Sequence, residues 1–291
     1  MIRLAIRVGA EQAEIVLAEL LELAPAGVEE VQLGGGGVEY AVYGAPGELP
    51  GLPDLRALAG GELVEISTSE VADDWQERWK AFHTPVMVAA PEGSGLPSLY
   101  VRPPWEPPSE DPGAVSEIVI DPGQAFGTGA HASTRLCLEL LLALAARDRT
   151  RGAALDVGTG SGVLAIAAAR LGFSPVLGLD HEDESVRAAA ENAAVNAASI
   201  AVDRYDLRTD PLPWPGAAAG PTVVLANLLR PLLLQLAEVM PAAPAHLIAS
   251  GLLVDEVDEI AAVMDSRHGL RELARLQSGE WAAIWMAGRP A

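Results

Sequence analysis

Hydrophobic and polar positions alternate with a period of two at the start of the chain. Ile2, Leu4, Ile6 and Val8 share one face of a half-buried strand. The period then changes. Over residues 11–24, Ala13, Val16, Leu17, Leu20, Leu23 and Ala24 fall on one side of a helical wheel, and Glu11, Glu14, Glu19 and Glu22 on the other. Two apolar runs, 28–33 and 38–43, flank Gly34-Gly35-Gly36-Gly37 and predict a hairpin. A weak helix over 54–59 and a strand over 63–67 follow. The order β-α-β-β-α-β predicts a small ferredoxin-like α+β domain over residues 1–67. Residues 68–84 read as a linker, with a helix from Ser69 to His83, Asp73 as its N-cap, and Trp75 and Trp79 one turn apart.

From residue 85 onward short apolar runs alternate with helical patterns, which predicts βαβ units and a mainly parallel sheet. Strands are expected at 85–90, 99–102, 117–120, 153–155, 176–179, 200–204, 222–226 and 246–250. Helices are expected at 132–146, 163–171, 254–264 and 183–196, the last with Val186, Ala190, Ala193 and Ala194 inward. Residues 270–277 and 281–286 form a final hairpin. The apolar stretch 228–236 contains Arg230 and Pro231 and is assigned no element. It and 140–146 are too short to span a bilayer.

Composition narrows the function. The 291 residues suffice for one large or two moderate domains, and 40 acids against 19 bases give a net charge of −21. That field repels phosphate backbones, so no nucleic-acid partner is expected; it suits a basic protein partner. Cys137 is the only cysteine, which excludes an internal disulfide and a cysteine-based metal site, and the five His lack metal-ligand spacing. With no N-terminal signal visible, a cytoplasmic monomer with no bound metal and no membrane contact is expected.

The chemistry concentrates at Asp156-Val157-Gly158-Thr159-Gly160-Ser161-Gly162, between an apolar run and a small-residue helix. Strand, glycine turn and helix open a βαβ unit in which the main chain can approach a ligand closely. A dinucleotide fingerprint would need glycine at position 163, which is Val163. The carboxylate of Asp156 beside the turn repels a pyrophosphate and favours a cation. Asp180 ends the next apolar run, where a carboxylate can bond both hydroxyls of a ribose. A ribose, a positive charge and no phosphate describe S-adenosylmethionine. Asn227 lies at the tip of the fourth strand of this unit, so Asp156, Asp180 and Asn227 converge at one sheet edge. Tyr205 and Asp206 follow the third strand, where either can contact an adenine.

A second glycine-rich segment runs from Asp121 through Pro122-Gly123-Gln124-Ala125-Phe126-Gly127-Thr128-Gly129-Ala130 to His131, before a helix that carries Thr134 in its first turn. Thr134 can donate to a ligand carboxylate at this helix N-terminus. A lone His131 reads more simply as a cap. Together the two segments resemble the PrmA family, bacterial methyltransferases of the large-subunit ribosomal protein L11. The resemblance extends to Asp74-Trp75, Trp79, Phe82-His83, the run Val223–Leu229, Ser250-Gly251-Leu252-Leu253 and Glu280-Trp281. It departs at His131-Ala132-Ser133-Thr134, where the family has His-Pro-Thr-Thr, and after Asn227, where small residues give way to Leu228-Leu229-Arg230-Pro231.

The resemblance implies a seven-stranded Rossmann-like class I methyltransferase sheet over residues 85–291, preceded by the small domain acting in substrate recognition. It implies that S-adenosylmethionine contacts Thr134, Gly158, Asp180 and Asn227; Gly160 belongs to the same turn. The expected reaction is methyl transfer to lysine or α-amino groups of a basic ribosomal protein, with Asn227 orienting the amine or the cofactor. Two rivals stand beside it: a related methyltransferase with another protein or small-molecule substrate, and a non-catalytic module that only binds S-adenosylmethionine.

Overall fold

The computed structural model describes residues 2–9, 16, 29–33, 37–44, 65–70, 83–111, 113–122, 131–216 and 220–288. Contacts divide the chain into two units, Met1–Phe82 and His83–Ala291.

The first unit contains β1 (Ile2–Gly9), β2 (Glu29–Leu33), β3 (Gly37–Gly44) and β4 (Glu65–Glu70) in the order β2-β3-β1-β4. Every neighbouring pair is antiparallel. Leu4, Ile6 and Val8 are buried as the alternation predicts; on the opposite face Arg7 is exposed but Ala5 is buried as well. Val16 is helical and buried; the rest of the expected helix at 11–24 and all of 54–59 lie outside the described residues. The strand order is the one a ferredoxin-like domain requires, and that domain stands here as a proposal. One boundary is corrected: β4 continues through Glu70, so Ser69 is strand rather than the start of a helix. Asp73, Trp75 and Trp79 lie outside the described residues.

The second unit begins with a small sheet, β5 (Val86–Val88), β6 (Ser98–Arg102) and β7 (Val115–Val119), in which β5 and β6 are antiparallel and β6 and β7 parallel. The main sheet has seven strands: β8 (Ala154–Val157), β9 (Val176–Asp180), β10 (Ala201–Arg204), β11 (Val223–Asn227), β12 (His246–Leu253), β13 (Arg271–Ser278) and β14 (Trp281–Ala287). Their order is β10-β9-β8-β11-β12-β14-β13. The first five are parallel, and β14 lies antiparallel between β12 and β13. This is the expected α/β sheet with a reversed last strand. Its helices are α1 (Ala132–Arg147), α2 (Val163–Arg170), α3 (Asp183–Val195), α4 (Arg230–Val239) and α5 (Val257–His268).

Two hydrophobic clusters, one centred on α1 and α2 and the other on α4 and α5, sandwich the sheet. β8 and β11 are continuous apolar runs because both faces are covered; Leu155, Leu225 and Val224 are fully buried. Among the described residues no helix is long and apolar enough to cross a membrane.

Two helices differ from expectation. α4 occupies the stretch that carries Arg230 and Pro231; Pro231 sits in the first turn, where its missing N–H would have no partner anyway. In α3 the inward residues are Ser185, Ala189, Asn192 and Ala193, whereas Ala190 and Ala194 are exposed and Val186 is half-buried. The buried face of α3 is therefore partly polar.

Candidate functional site

Strand β8 carries Asp156 into the interior, where it is fully buried. Its Oδ2 accepts the Thr159 hydroxyl at 2.7 Å and the Ala165 N–H at 3.1 Å, so the carboxylate ties the glycine turn to the first turn of α2. Its Oδ1 has no partner. Burial pushes the Asp156 carboxyl up to about 7, against the two hydrogen bonds, and the nearby Asp180 adds to the rise.

The turn itself is fastened to β9. Gly158 and Thr159 both donate to the Leu179 carbonyl, at 2.8 and 2.9 Å. Gly158 has φ +75°, and a Cβ there would lie 2.3 Å from Leu228 Cδ2, so both conformation and close approach demand glycine. Gly160 donates its N–H to Asp180 Oδ2 at 2.9 Å. The other oxygen of Asp180 accepts the Glu182 N–H at 3.2 Å. Asp180 thus closes β9 and clamps the turn with one carboxylate. Each oxygen keeps a further lone pair for a ligand.

These tips border a cleft of about 140 Å³ lined by Gly158, Asp180, Tyr205, Asp206, Leu228 and Leu232 among others. The paired hydrogen bonds from Arg208 hold Asp206 down at about 2, so it is ionised at the mouth of the cleft. Tyr205, mostly buried, donates its hydroxyl to the Asp210 carbonyl at 3.2 Å.

The opposite side is built from α1 and β11. His131 is the N-cap of α1: its Nδ1 accepts the Ser133 N–H at 3.3 Å. Its ring meets Trp281 of β14 edge-on, 4.7 Å between centroids. Burial lowers the His131 pKa. Thr134, in the first turn, is fully buried, and its Oγ1 accepts from Asn227 Nδ2 at 3.1 Å across 93 residues of sequence. Asn227 Oδ1 is buried without a partner. Beside it, Gly251 (φ +79°) lets the chain at Leu228 come close: a Cβ would sit 2.6 Å from the Leu228 carbonyl oxygen. Leu228 N–H donates to the Ser250 carbonyl at 3.0 Å, fixing the exit from β11.

The structure therefore brings Thr134 to Asn227, and Gly158 and Gly160 to Asp180, at one edge of the sheet. Residues 123–130 of the second glycine-rich segment lie outside the described residues. Two residues are not evident from the sequence pattern. Asn192 of α3 and Asn196, its C-cap, are 3% and 4% exposed and bond the main chain of neighbouring segments. The signal they leave is an Asn pair four apart on the buried face of an alanine-rich helix.

Buried polar atoms are nearly always bonded. Asn227 Oδ1 is an amide oxygen and can only accept, so the group that completes this edge must bring a donor. An ammonium or an amine fits; a pyrophosphate does not. The donor set thus fits S-adenosylmethionine.

A family model described as ribosomal protein L11 methyltransferase (PrmA) matches residues 55–289. The chain is 38% identical over 239 residues to the ribosomal protein L11 methyltransferase of Geobacter sulfurreducens, an alignment covering 80% of this chain and 73% of that protein. It is 38% identical over 222 residues to the protein of the same name from Geobacter metallireducens, covering 75% and 67%. Among solved structures it is similar to the ribosomal protein L11 methylase of Lactobacillus delbrueckii subsp. bulgaricus, with a TM-score of 0.54, 27% identity, and coverage of 70% of this chain and 98% of that one.

Proposed function

The chain belongs to the PrmA family of methyltransferases, and on that premise we propose that it methylates lysine or α-amino groups of ribosomal protein L11 in the cytoplasm, acting as a monomer. S-adenosylmethionine is the methyl donor. Bound there, it supplies a methyl group on a sulfonium that leaves as a neutral thioether, so the amine nitrogen forms the new bond as the sulfur–carbon bond breaks.

The protein's part is binding and alignment. Asp180 takes the ribose hydroxyls with the lone pairs that Gly160 and Glu182 leave free. Gly158 and Gly160 offer a main chain without a Cβ to shield it. Thr134 acts through Asn227, holding its amide so that Oδ1 points at the donors of the cofactor or of the incoming amine. The amine must arrive neutral, and a partly desolvated cleft lowers its pKa, while the carboxylates of Asp156 and Asp180 oppose that. The first unit has 11 acids and 3 Arg over residues 1–66, a net charge of −8 that suits a basic substrate. The observation that carries this reading is the unpartnered Asn227 Oδ1 beside a glycine turn clamped by Asp180.

A methyl-transfer assay tests it, with labelled S-adenosylmethionine, the purified protein and ribosomal proteins of the same cells, and Asp180→Ala as control. Label on L11 amino groups, lost in the control, is the expected result. Label on another protein would move the substrate assignment. Cofactor binding with no label on any ribosomal protein would overturn the reading.

A further inference from the structure

Asn192 does something in this fold that no cofactor contact explains. It lies on the buried face of α3. Its Oδ1 accepts the N–H of Asp121 at 3.0 Å, and its Nδ2 donates to the carbonyl of Ser161 at 2.9 Å. Asp121 opens the second glycine-rich segment, and Ser161 belongs to the glycine turn. One amide group therefore joins the two segments, which are 40 residues apart in sequence (161 minus 121).

One turn further on, at the C-cap of α3, Asn196 makes a different set of bonds. Its Oδ1 accepts the Val119 N–H at 2.8 Å, and its Nδ2 donates to the Val119 carbonyl at 2.6 Å and to the Asn192 carbonyl at 2.8 Å. That is the pattern of a strand partner, and it seats β7 against α3 without touching the glycine turn. Asn196 anchors one segment; Asn192 bridges two.

We propose that Asn192 is a positioning residue for cofactor binding, setting the separation between Asp121, at the exit from β7, and the glycine turn. The inference rests on the cofactor site proposed above. The chemistry favours an amide specifically. A carboxylate at this position could still accept from Asp121 but would face the Ser161 carbonyl with no proton. A shorter or apolar side chain would lose both bonds, of which the one to the Ser161 carbonyl is buried.

The test pairs Asn192→Ala with Asn196→Ala in the full chain, and measures S-adenosylmethionine binding by titration calorimetry well below the thermal midpoint. Both variants should lower the midpoint. Asn192→Ala should raise the cofactor Kd about tenfold, and raise KM for the cofactor without raising KM for the protein substrate. Asn196→Ala should leave the cofactor Kd within about twofold, because its side chain bonds Val119 of β7 and the Asn192 carbonyl but not the glycine turn. Asn192→Asp, which keeps the acceptor, should also weaken the cofactor and serves if the alanine variant fails to fold. Equal effects of Asn192→Ala and Asn196→Ala on Kd would reduce Asn192 to a packing residue and overturn the proposal. So would an unchanged Kd in the Asn192 variants while Asp180→Ala abolishes binding. If Asp180→Ala itself binds normally, the cofactor site is misplaced and the inference falls with it.

Discussion

At the tips of β8 and β9 the carboxylates of Asp156 and Asp180 are engaged by the protein's own turn, whereas at the tips of β11 and α1 two neutral side chains bond each other and leave an acceptor over. Asp156 and Asp180 together take the Thr159 hydroxyl and the N–H groups of Ala165, Gly160 and Glu182. Hydrogen bonds to charged groups contribute about 1.5–3 kcal/mol each, so this side is stiff before any ligand arrives. The Asn227–Thr134 pair is one neutral bond of about 1 kcal/mol beside a buried oxygen with no partner. The first side is held by four bonds within the protein, with Asp156 Oδ1 left over; the second has one, with Asn227 Oδ1 left over, and that is where the reacting groups are expected.

The strongest way to break this contrast is Gly158→Ala. Both the left-handed backbone and the 2.3 Å approach to Leu228 oppose a Cβ. We expect cofactor affinity to fall by about 100-fold or more, equivalent to about 2.7 kcal/mol, measured by calorimetry. Adding Leu228→Ala should recover part of the loss, because it removes the overlap but not the unfavourable φ. Asp180→Ala comes next, releasing the clamp on Gly160 and the ribose ligand together; a Kd increase of about 30-fold is expected.

The other side should respond in rate rather than in stability. Asn227→Ala should lower kcat about tenfold with a midpoint shift of no more than about 4 °C, since one neutral bond is lost in a unit of this size. A large midpoint shift with kcat intact would make Asn227 structural.

Asp156 sharpens the comparison through pH. Its folded-state carboxyl lies near 7, above the unfolded value of about 3.9. Between these values the folded protein holds the proton and the unfolded chain does not. Stability from this group is therefore present below pH 4 and lost as pH rises toward 7. Asp156→Asn should remove that slope, so the variant gains stability relative to the wild-type protein above pH 7 and loses the advantage near pH 4, as read by denaturant titration at both pH values. At the small end, Arg230→Ala breaks an exposed pair with Glu259, and neither the midpoint nor the cofactor Kd should change measurably.

The strands at the heart of the site are readable from the sequence because they are buried on both faces. Runs such as Val176–Leu179 and Val223–Ala226 leave no other reading, and Asp180 and Asn227 stand out at their ends. His131 is likewise legible as a cap. The glycine spacing, with Val163 where a third glycine would stand, disfavours a dinucleotide turn only when read together with Asp156 before it and Asp180 after it. What does not show has physical reasons. α4 is obscured by Pro231, whose position relative to the helix start decides whether it breaks or begins a helix. The inward face of α3 has no clear hydrophobic signature, because alanines on every side give little contrast and the decisive residues, Asn192 and Asn196, are polar. Their partners are backbone groups of distant segments, which periodicity does not encode. The separate sheet β5-β6-β7 depends on pairings between segments that carry no pattern relating them.

The position of β14 bears on how the chain is made. It is the last of the seven strands to leave a ribosome, yet it lies inside the sheet, between β12 and β13. Until residue 287 has emerged, β12 has an open edge and β13 has no neighbour to pair with. The nascent chain must therefore carry an uncompleted sheet until β14 has emerged, with Leu247, Ile248 and Leu252 adjoining an unpaired edge. The glycine turn, β8 and β9 can assemble early from local contacts; the edge that holds Ser250 and Gly251 closes only once β14 is in place.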